Sequence, residues 1–399
     1  MSNPTPSAVE TKNILPLGLL AAAGFLSVAG ARAVDPLLSL MARDFATSVP
    51  ALSAMIAAFT LAYGMNQLLL GPLGDRCGKL RILLGALVAN AVFTTACAWA
   101  GSLAALTVLR ACAGAASAGL IPVCLAYIGD AVPYDRRQIM LSRFATGIVM
   151  AQILAGPLGG AVGQVSGWRG VFVLLGLGGL GVAAGLATRL RHLPDRSSRH
   201  ASTLATYRAL SSRPDARLLL AATLTEGALT GGMVPFLAPY LHDRFALPYA
   251  TVGLVLACFG LGTFAYTRAA RFILPRADEA RLVLVGGLLI ATALAAVMTS
   301  HGWAPFVPAQ AVIGFGYLMM HTVLQSRATE LLPDARSTAV SLFVFALFLG
   351  QALGAVAFGA TIATWGYRFA FWGGALALSL LGCGLWTLMR SYPAAAQTA

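Results

Sequence analysis

The chain alternates long apolar runs with short polar breaks. The runs can be drawn at about 14–40, 50–70, 80–99, 103–129, 139–165, 170–190, 216–241, 248–270, 281–300, 303–326, 337–362 and 369–389. Most approach or exceed the ~20 residues that an α-helix needs to cross a hydrocarbon layer ~30 Å thick. In lipid each backbone N–H and C=O must be satisfied inside the protein, and a helix does this within one segment. A membrane β-barrel would instead show alternating segments about ten residues long. The pattern therefore predicts twelve transmembrane helices and an all-α integral membrane protein.

The polar positions set the expected orientation. With a cytoplasmic N-terminus, inner loops carry Arg76, Lys79 and Arg81, then Arg136, Arg137 and Arg143, and later Arg268, Arg271, Arg276 and Arg281. The segment from 189 to 217 adds seven arginines. Outer loops keep Arg43, Arg169, Arg244 and Arg368. An excess of basic residues on cytoplasmic loops predicts that both termini are cytoplasmic. The same segment is the one long polar stretch and divides the runs six and six. It suggests halves at 1–190 and 216–399 with a linker at 191–215. The first run resembles a signal peptide around Ala29-Gly30-Ala31, yet it continues past Ala33, and it is read as a retained span.

Composition agrees. Of 399 residues 58% are hydrophobic and 10% charged, and the mean hydropathy is +0.79. Soluble domains carry about 25% charged residues, so a soluble enzyme, a disordered chain and a disulfide-stapled module are excluded. The net charge of +13 follows from the basic inner loops and gives no reason to expect nucleic acid. The six cysteines, at 77, 97, 112, 124, 258 and 383, have no CxxC spacing and predict neither disulfide nor metal site. No phosphate-binding G-x-x-x-x-G-K-[ST], HExxH or G-x-S-x-G occurs, so no enzymatic activity and no cofactor are expected.

The halves resemble each other at an offset close to 200 residues. Asp130-Ala-Val-Pro133-Tyr-Asp-Arg136 aligns with Glu330-Leu-Leu-Pro333-Asp-Ala-Arg336, and Gly167-Trp-Arg169 with Gly366-Tyr-Arg368. Phe45-Ala46 aligns with Phe245-Ala246, and Arg110 with Gly114 falls opposite Gln310 with Gly314. Parallel repeats related by an axis along the membrane normal occur in one large transporter fold.

The segment Gly71-Pro-Leu-Gly74-Asp75-Arg76-Cys-Gly78-Lys79-Leu-Arg81 resembles the G-x-L-x-D-R-x-G-[RK]-x-[RK] loop between helices 2 and 3 of the major facilitator superfamily. Arg110-Ala-Cys-Ala-Gly114 is similar to the R-x-x-x-G of helix 4. Gly156-Pro157-Leu-Gly-Gly160, extended by Gly147, resembles the helix 5 G-P-x-x-G-G motif, with Ala161 in its last place. In that family the helix 5 motif is associated with exporters, although small residues also serve plain helix packing. The resemblance covers nearly the whole chain. It implies a secondary transporter working by alternating access, with the loop as a conformational switch and helices 1, 4, 7 and 10 around a central cavity. Its similarity to bacterial efflux members implies proton-coupled export of a drug, a sugar or a secreted metabolite such as a siderophore. The setting would be the bacterial inner membrane, with the protein acting as a monomer. An importer of the same fold is the main alternative, and a non-transporting sensor a remote one.

Charges inside the bilayer are costly and mark functional positions. Asp35, with Arg110 at similar depth, suggests a proton carrier and its partner; the alternative is a helix-end cap with Arg32 reaching outward. Glu226, about 12 Å into its helix at 1.5 Å per residue, is a candidate protonatable or cation-binding carboxylate, or else a buried structural hydrogen-bonding group. Gln310, Tyr317, His321 and Gln325 follow one helical stripe and suggest a polar cavity wall, or alternatively contacts between helices. Asn66 and Gln67 are further candidates.

Overall fold

The computed structural model describes residues 15–190, 207–208, 210, 212–331 and 336–391, with the side chains of 70–77, 134–135, 336–337 and 391 set aside. Among the described residues there is no β-strand. The first half contains α1 (Leu17–Arg32), α2 (Leu38–Asp44), α3 (Ser53–Cys77), α4 (Lys79–Cys97), α5 (Leu103–Ser117), α6 (Leu120–Ala131) and α7 (Tyr134–Leu190). The second contains α8 (Pro214–Glu226), α9 (Leu237–Phe245), α10 (Tyr249–Ile273), α11 (Glu279–Thr299), α12 (Phe306–Glu330) and α13 (Arg336–Ser391). Ten helical stretches are long and apolar enough to cross a membrane. Three of them, Leu17–Asp44, Leu103–Ala131 and Pro214–Phe245, are each assembled from two shorter helices.

The expected twelve runs become ten stretches because two pairs are joined. The 57 residues of α7, at 1.5 Å each, would extend about 85 Å, nearly three times the hydrocarbon thickness. The helix is interrupted at Gly167, with φ 71° and ψ 174°. The 56 residues of α13 are interrupted at Gly366, with φ 80° and ψ 171°. Side-chain-bearing residues are almost never found in that backbone region. Each long element is therefore two helices meeting at a glycine.

The two breaks lie 199 residues apart, and they are one instance of a repeat written into the backbone. Short 3-10 turns interrupt both halves at matching places, Asp35–Leu37 and Val234–Phe236, each with proline second. Proline lacks the N–H that would continue the α-helical ladder. Ala46 (φ 48°) and Ala246 (φ 51°) take the left-handed conformation after α2 and α9.

Small residues set the close approaches. A Cβ on Gly114 would collide with the Phe59 carbonyl, and one on Gly314 with the Phe259 carbonyl, so α5 crosses α3 as α12 crosses α10. The halves meet where α7 packs on α10 and α3 on α13. Gly156 lies against Gly253, Gly160 against the Tyr249 carbonyl, and the Ala250 N–H donates to Gln164 Oε1 at 3.2 Å. Gly147 and Gly159 instead face Ala21 and Ala33 of the first crossing. The helix 5 residues Gly147, Gly156, Pro157 and Gly160 thus form a surface on which α7 packs against both its own half and the other. The approaches between the halves, Gly156 on Gly253 and Gly160 on Tyr249, lie toward the end of the bundle that carries Asp44. There Trp168 Nε1 and Arg169 Nη1 both donate to Asp44 Oδ2, at 2.8 and 2.6 Å, tying the Gly167 turn to α2.

Replacing Gly366 with alanine meets no neighbouring atom within 4 Å, so its cost is backbone strain alone. Gly366→Ala is expected to destabilise the protein by about 1–3 kcal/mol, read as a lower Tm in detergent. Gly181→Ala, inside a helix and equally open, should hold or raise Tm. Equal Tm values for the two variants would show that glycine is not what permits the break.

Candidate functional site

A cavity of about 170 Å³ lies between the halves. The first half contributes Arg32 and Asp35, Phe59 and Tyr63 of α3, Arg110 of α5 and Gln152 of α7. The second half contributes Thr230, Phe259 of α10, Tyr317 of α12, and Phe348 and Gln351 of α13. Tyr63 stacks on Phe348 with ring centres 4.2 Å apart, so an aromatic pair bridges the halves at the cavity wall.

The break in the first crossing creates the charged corner. α1 ends at Arg32, and Asp35 opens the 3-10 turn that Pro36 enforces. Arg32 Nη1 lies 3.7 Å from Asp35 Oδ2, and the aspartate is buried. Arg110, 2% exposed, donates from Nη1 to the Gly30 carbonyl at 2.6 Å. That carbonyl belongs to the last turn of α1, where helix carbonyls lack intrahelical partners. The Arg110 guanidinium also lies 4.1 Å from the Phe59 ring centre. Asp35 and Arg110 do line one cavity, but the cation within ion-pair distance of Asp35 is Arg32. The reason is local: the turn after α1 brings Asp35 back over the residue three before it.

The second half holds a different pair. Glu226 is the last residue of α8 before a π-helical turn, Gly227–Gly231. It is fully buried, and its Oε2 lies 3.2 Å from His321 Nδ1. Its Oε1 has no hydrogen-bond partner among the described residues. His321 stacks on Tyr317 at 5.2 Å, and Thr230 Oγ1 donates to the Glu226 carbonyl at 2.6 Å. Tyr317 and Thr230 line the cavity, whereas Glu226 and His321 sit behind them. Sequence reading singled out these two residues separately; the fold makes them one carboxylate–imidazole unit.

The helical stripe of α12 divides. From Gln310 to Gln325 it runs about 22 Å at 1.5 Å per residue, longer than the cavity. Tyr317 reaches the wall, His321 lies behind it, and Gln325 is exposed. Gln310 is buried with neither amide atom partnered among the described residues. Asn66 Nδ2 donates to the Ala115 carbonyl at 2.8 Å, a tie between α3 and α5, and Gln67 is buried away from the cavity lining. The lining glutamines Gln152 and Gln351 were missed. They stand 199 residues apart, as Phe59 and Phe259 stand 200 apart, so the internal repeat was the signal that could have found them.

Of the switch motif, the side chains of Gly71, Gly74, Asp75 and Arg76 lie outside the described residues. The backbone stays helical to Cys77 and turns at Gly78, with φ 91°. Lys79 is buried and ion-pairs with Asp130 at the end of α6, while Arg81 is exposed in the first turn of α4. Two hundred residues later Glu279, at the start of α11, pairs with Arg327 near the end of α12 at 2.7 Å. The second half joins the same two places by an ion pair, but its cation, Arg327, stands three residues before Glu330, the position that matches Asp130.

Two discontinuous crossings facing each other across a cavity, in two repeated halves, are the features of one family. A family model of the Major Facilitator Superfamily matches residues 20–302 and 219–399. The chain belongs to the Major Facilitator Superfamily. An MFS-type transporter from Bacillus subtilis, YwfA, is 26% identical over 90% of this chain and 89% of its own. A probable sugar efflux transporter of Helicobacter pylori is 28% identical over 86% of this chain and 88% of its own. A chloramphenicol resistance protein of Streptomyces lividans is 28% identical over 69% and 71%. The crystal structure of a bacterial homologue of the human lysosomal transporter Spinster, inward-facing and unoccupied, superposes with a TM-score of 0.80 at 18% identity, covering 97% of this chain and 98% of that one. A D-xylose–proton symporter does so at 0.76 and 17%, covering 93% and 96%. The protein is thus a multi-pass membrane transporter of the superfamily fold.

The Lys79–Asp130 pair gives a test. Lys79→Glu alone sets two carboxylates together and should destabilise the protein by about 1–3 kcal/mol. Adding Asp130→Arg restores a pair of opposite charges and should recover most of that loss, read by Tm in detergent. Simple addition of the two single losses would show that the pair does not act as a clasp.

Proposed function

We propose that the protein is a twelve-helix, proton-coupled exporter of a small organic molecule across the bacterial inner membrane. The observation that carries this reading is a cavity built by both halves, with a buried carboxylate–imidazole pair directly behind its wall. In this reading the breaks at Gly167 and Gly366 divide two of the ten apolar stretches, for twelve crossings in all. An even number returns the C-terminus to the side of the N-terminus, and the basic inner loops assign that side to the cytoplasm. The end bearing Asp44 then faces outward, and glycine contacts hold the halves together on that side of the cavity. Alternating access would rock the halves about it. The unit acts as a monomer and needs no cofactor beyond the proton gradient.

Glu226 and His321 form the proton store. Together they can hold one proton or release it, and only the wall of Tyr317 and Thr230 stands between them and the solute. Arg32 and Asp35 meet the solute itself. The names of the sugar efflux and chloramphenicol resistance relatives favour outward transport. Drug-sized sites commonly span about 300–1,000 Å³. A cavity of about 170 Å³ therefore favours a drug fragment or a monosaccharide over a siderophore.

Everted vesicles with a pH-sensitive dye test the reading, using chloramphenicol, monosaccharides and small aromatic acids as the panel. At least one compound should collapse the pH gradient in wild type. Glu226→Gln should abolish that response while leaving solute counterflow in the absence of a gradient within about threefold, because it removes the coupling proton and not the solute's contacts. Uptake driven by the gradient in intact cells, with no response in everted vesicles, would make the protein an importer. Coupled flux that survives in Glu226→Gln would remove this pair from the mechanism.

A further inference from the structure

We infer that the solute of this cavity is a small organic anion built on one ring, held by Arg110 together with Arg32; the inference rests on the transport reading above. Among the described residues, the charged groups on the wall are Arg32, Arg110 and Asp35, two cations against one anion. Asp35 is matched to Arg32 at 3.7 Å. No carboxylate lies within ion-pair distance of Arg110 among the described residues. Its Nη1 meets a neutral carbonyl, its Nε has no hydrogen-bond partner, and its charge rests over the Phe59 ring. A guanidinium so deeply buried, whose anionic neighbour on the wall is already paired with Arg32, is costly in a low-dielectric interior. A mobile anion entering the cavity removes that cost, and a guanidinium edge with a free N–H is suited to a carboxylate or sulfonate.

The rest of the wall defines the body of the molecule. Phe59, Tyr63, Phe348, Phe259 and Tyr317 offer aromatic faces. Gln152 and Gln351 offer amides from opposite halves, able to meet hydroxyl or carbonyl groups. The volume of about 170 Å³ limits the body to about one ring. A lipophilic cation is disfavoured by the same geometry. The carboxylate best placed by sequence to attract one, Glu226, is turned to His321 behind the wall. Exchange of one such anion outward for one proton inward would move two charges per cycle, both in the direction favoured by an inside-negative potential.

The test is equilibrium binding to the full chain in lipid nanodiscs, using ligands matched in shape and differing in charge. Benzoate, benzenesulfonate and D-glucuronate are compared with benzamide, benzenesulfonamide and D-glucose, and with benzyltrimethylammonium. At least one anion should bind about tenfold or more tighter than its neutral partner, and the quaternary cation should bind more weakly than either. Arg110→Lys should retain the preference and Arg110→Gln should lose it. Should Arg110→Gln fail to fold, Arg32→Gln and Asp35→Asn read the same charge balance: the first should weaken the anion and the second should tighten it. Equal binding of anion and neutral partner, tighter binding of the cation, or no binding of any anion overturns the inference. Counterflow of benzenesulfonate in liposomes is measured separately. Anion-selective binding without counterflow supports the anion site and removes the transport reading. Counterflow of D-glucose, with no preference for any anion, supports transport and overturns the anion site.

Discussion

In hydrocarbon, a backbone amide or carbonyl without a partner costs several kcal/mol. A membrane helix can therefore be interrupted only where something else takes up the freed groups. In the first crossing Pro36 has no N–H to satisfy, and the exposed end of α1 is met by Arg110 on the Gly30 carbonyl. In the stretch Pro214–Phe245, the widened turn Gly227–Gly231 is held by the Thr230 hydroxyl on the Glu226 carbonyl. The polar groups that service these breaks are the groups that line or adjoin the cavity. Helix interruption and solute site are thus two views of one arrangement: the backbone defect demands buried polarity, and the buried polarity provides the chemistry.

The two halves share a scaffold and divide the labour. Their common elements line the same cavity, Phe59 with Phe259 and Gln152 with Gln351. The charged groups do not repeat. Arg110 is replaced by Gln310 and Asp35 by Val234. Conversely, the positions matching Glu226 and His321 are Ser27 and Ile121, both on the cavity wall. The first half presents charge to the cavity, and the second stores its carboxylate and imidazole behind an aromatic and a threonine. A duplicated scaffold with unlike occupants places solute chemistry and proton chemistry side by side without merging them.

Much of the fold was legible because hydropathy in lipid is close to a direct readout of helix placement. The apolar runs and the repeat reappear in the helices, down to Ala46 and Ala246 in matching left-handed caps. Joining at Gly167 and Gly366 was not legible, since a glycine beside a tryptophan or tyrosine reads equally as loop or packing contact. The site was partly legible. Buried charge in an apolar run flagged Asp35, Arg110 and Glu226, because such residues are rare without cause. Partners were harder: linear spacing does not say which helix faces which, so Arg110 was matched to Asp35 where Arg32 stands, and Glu226 was left without its histidine. The stripe on α12 failed differently. A helical period selects a face, but a face extends past a cavity at both ends, which left Gln310 packed and Gln325 exposed.

The change of sign from Lys79 to its repeat Glu279 bears on how so repetitive a chain finds the right partners as it is inserted. Helices α4 and α6 have near-copies in α11 and α12, and an exchange between them would be geometrically easy. Correct assembly sets Lys79 against Asp130 and Glu279 against Arg327. The exchanged arrangement would set Glu279 against Asp130, like charge against like, at a place that is not fully in water. Discrimination between partners is a difference between two free energies, and repulsion in the wrong pairing widens it as surely as attraction in the right one. The sign change between Lys79 and Glu279 thus tells one half from the other.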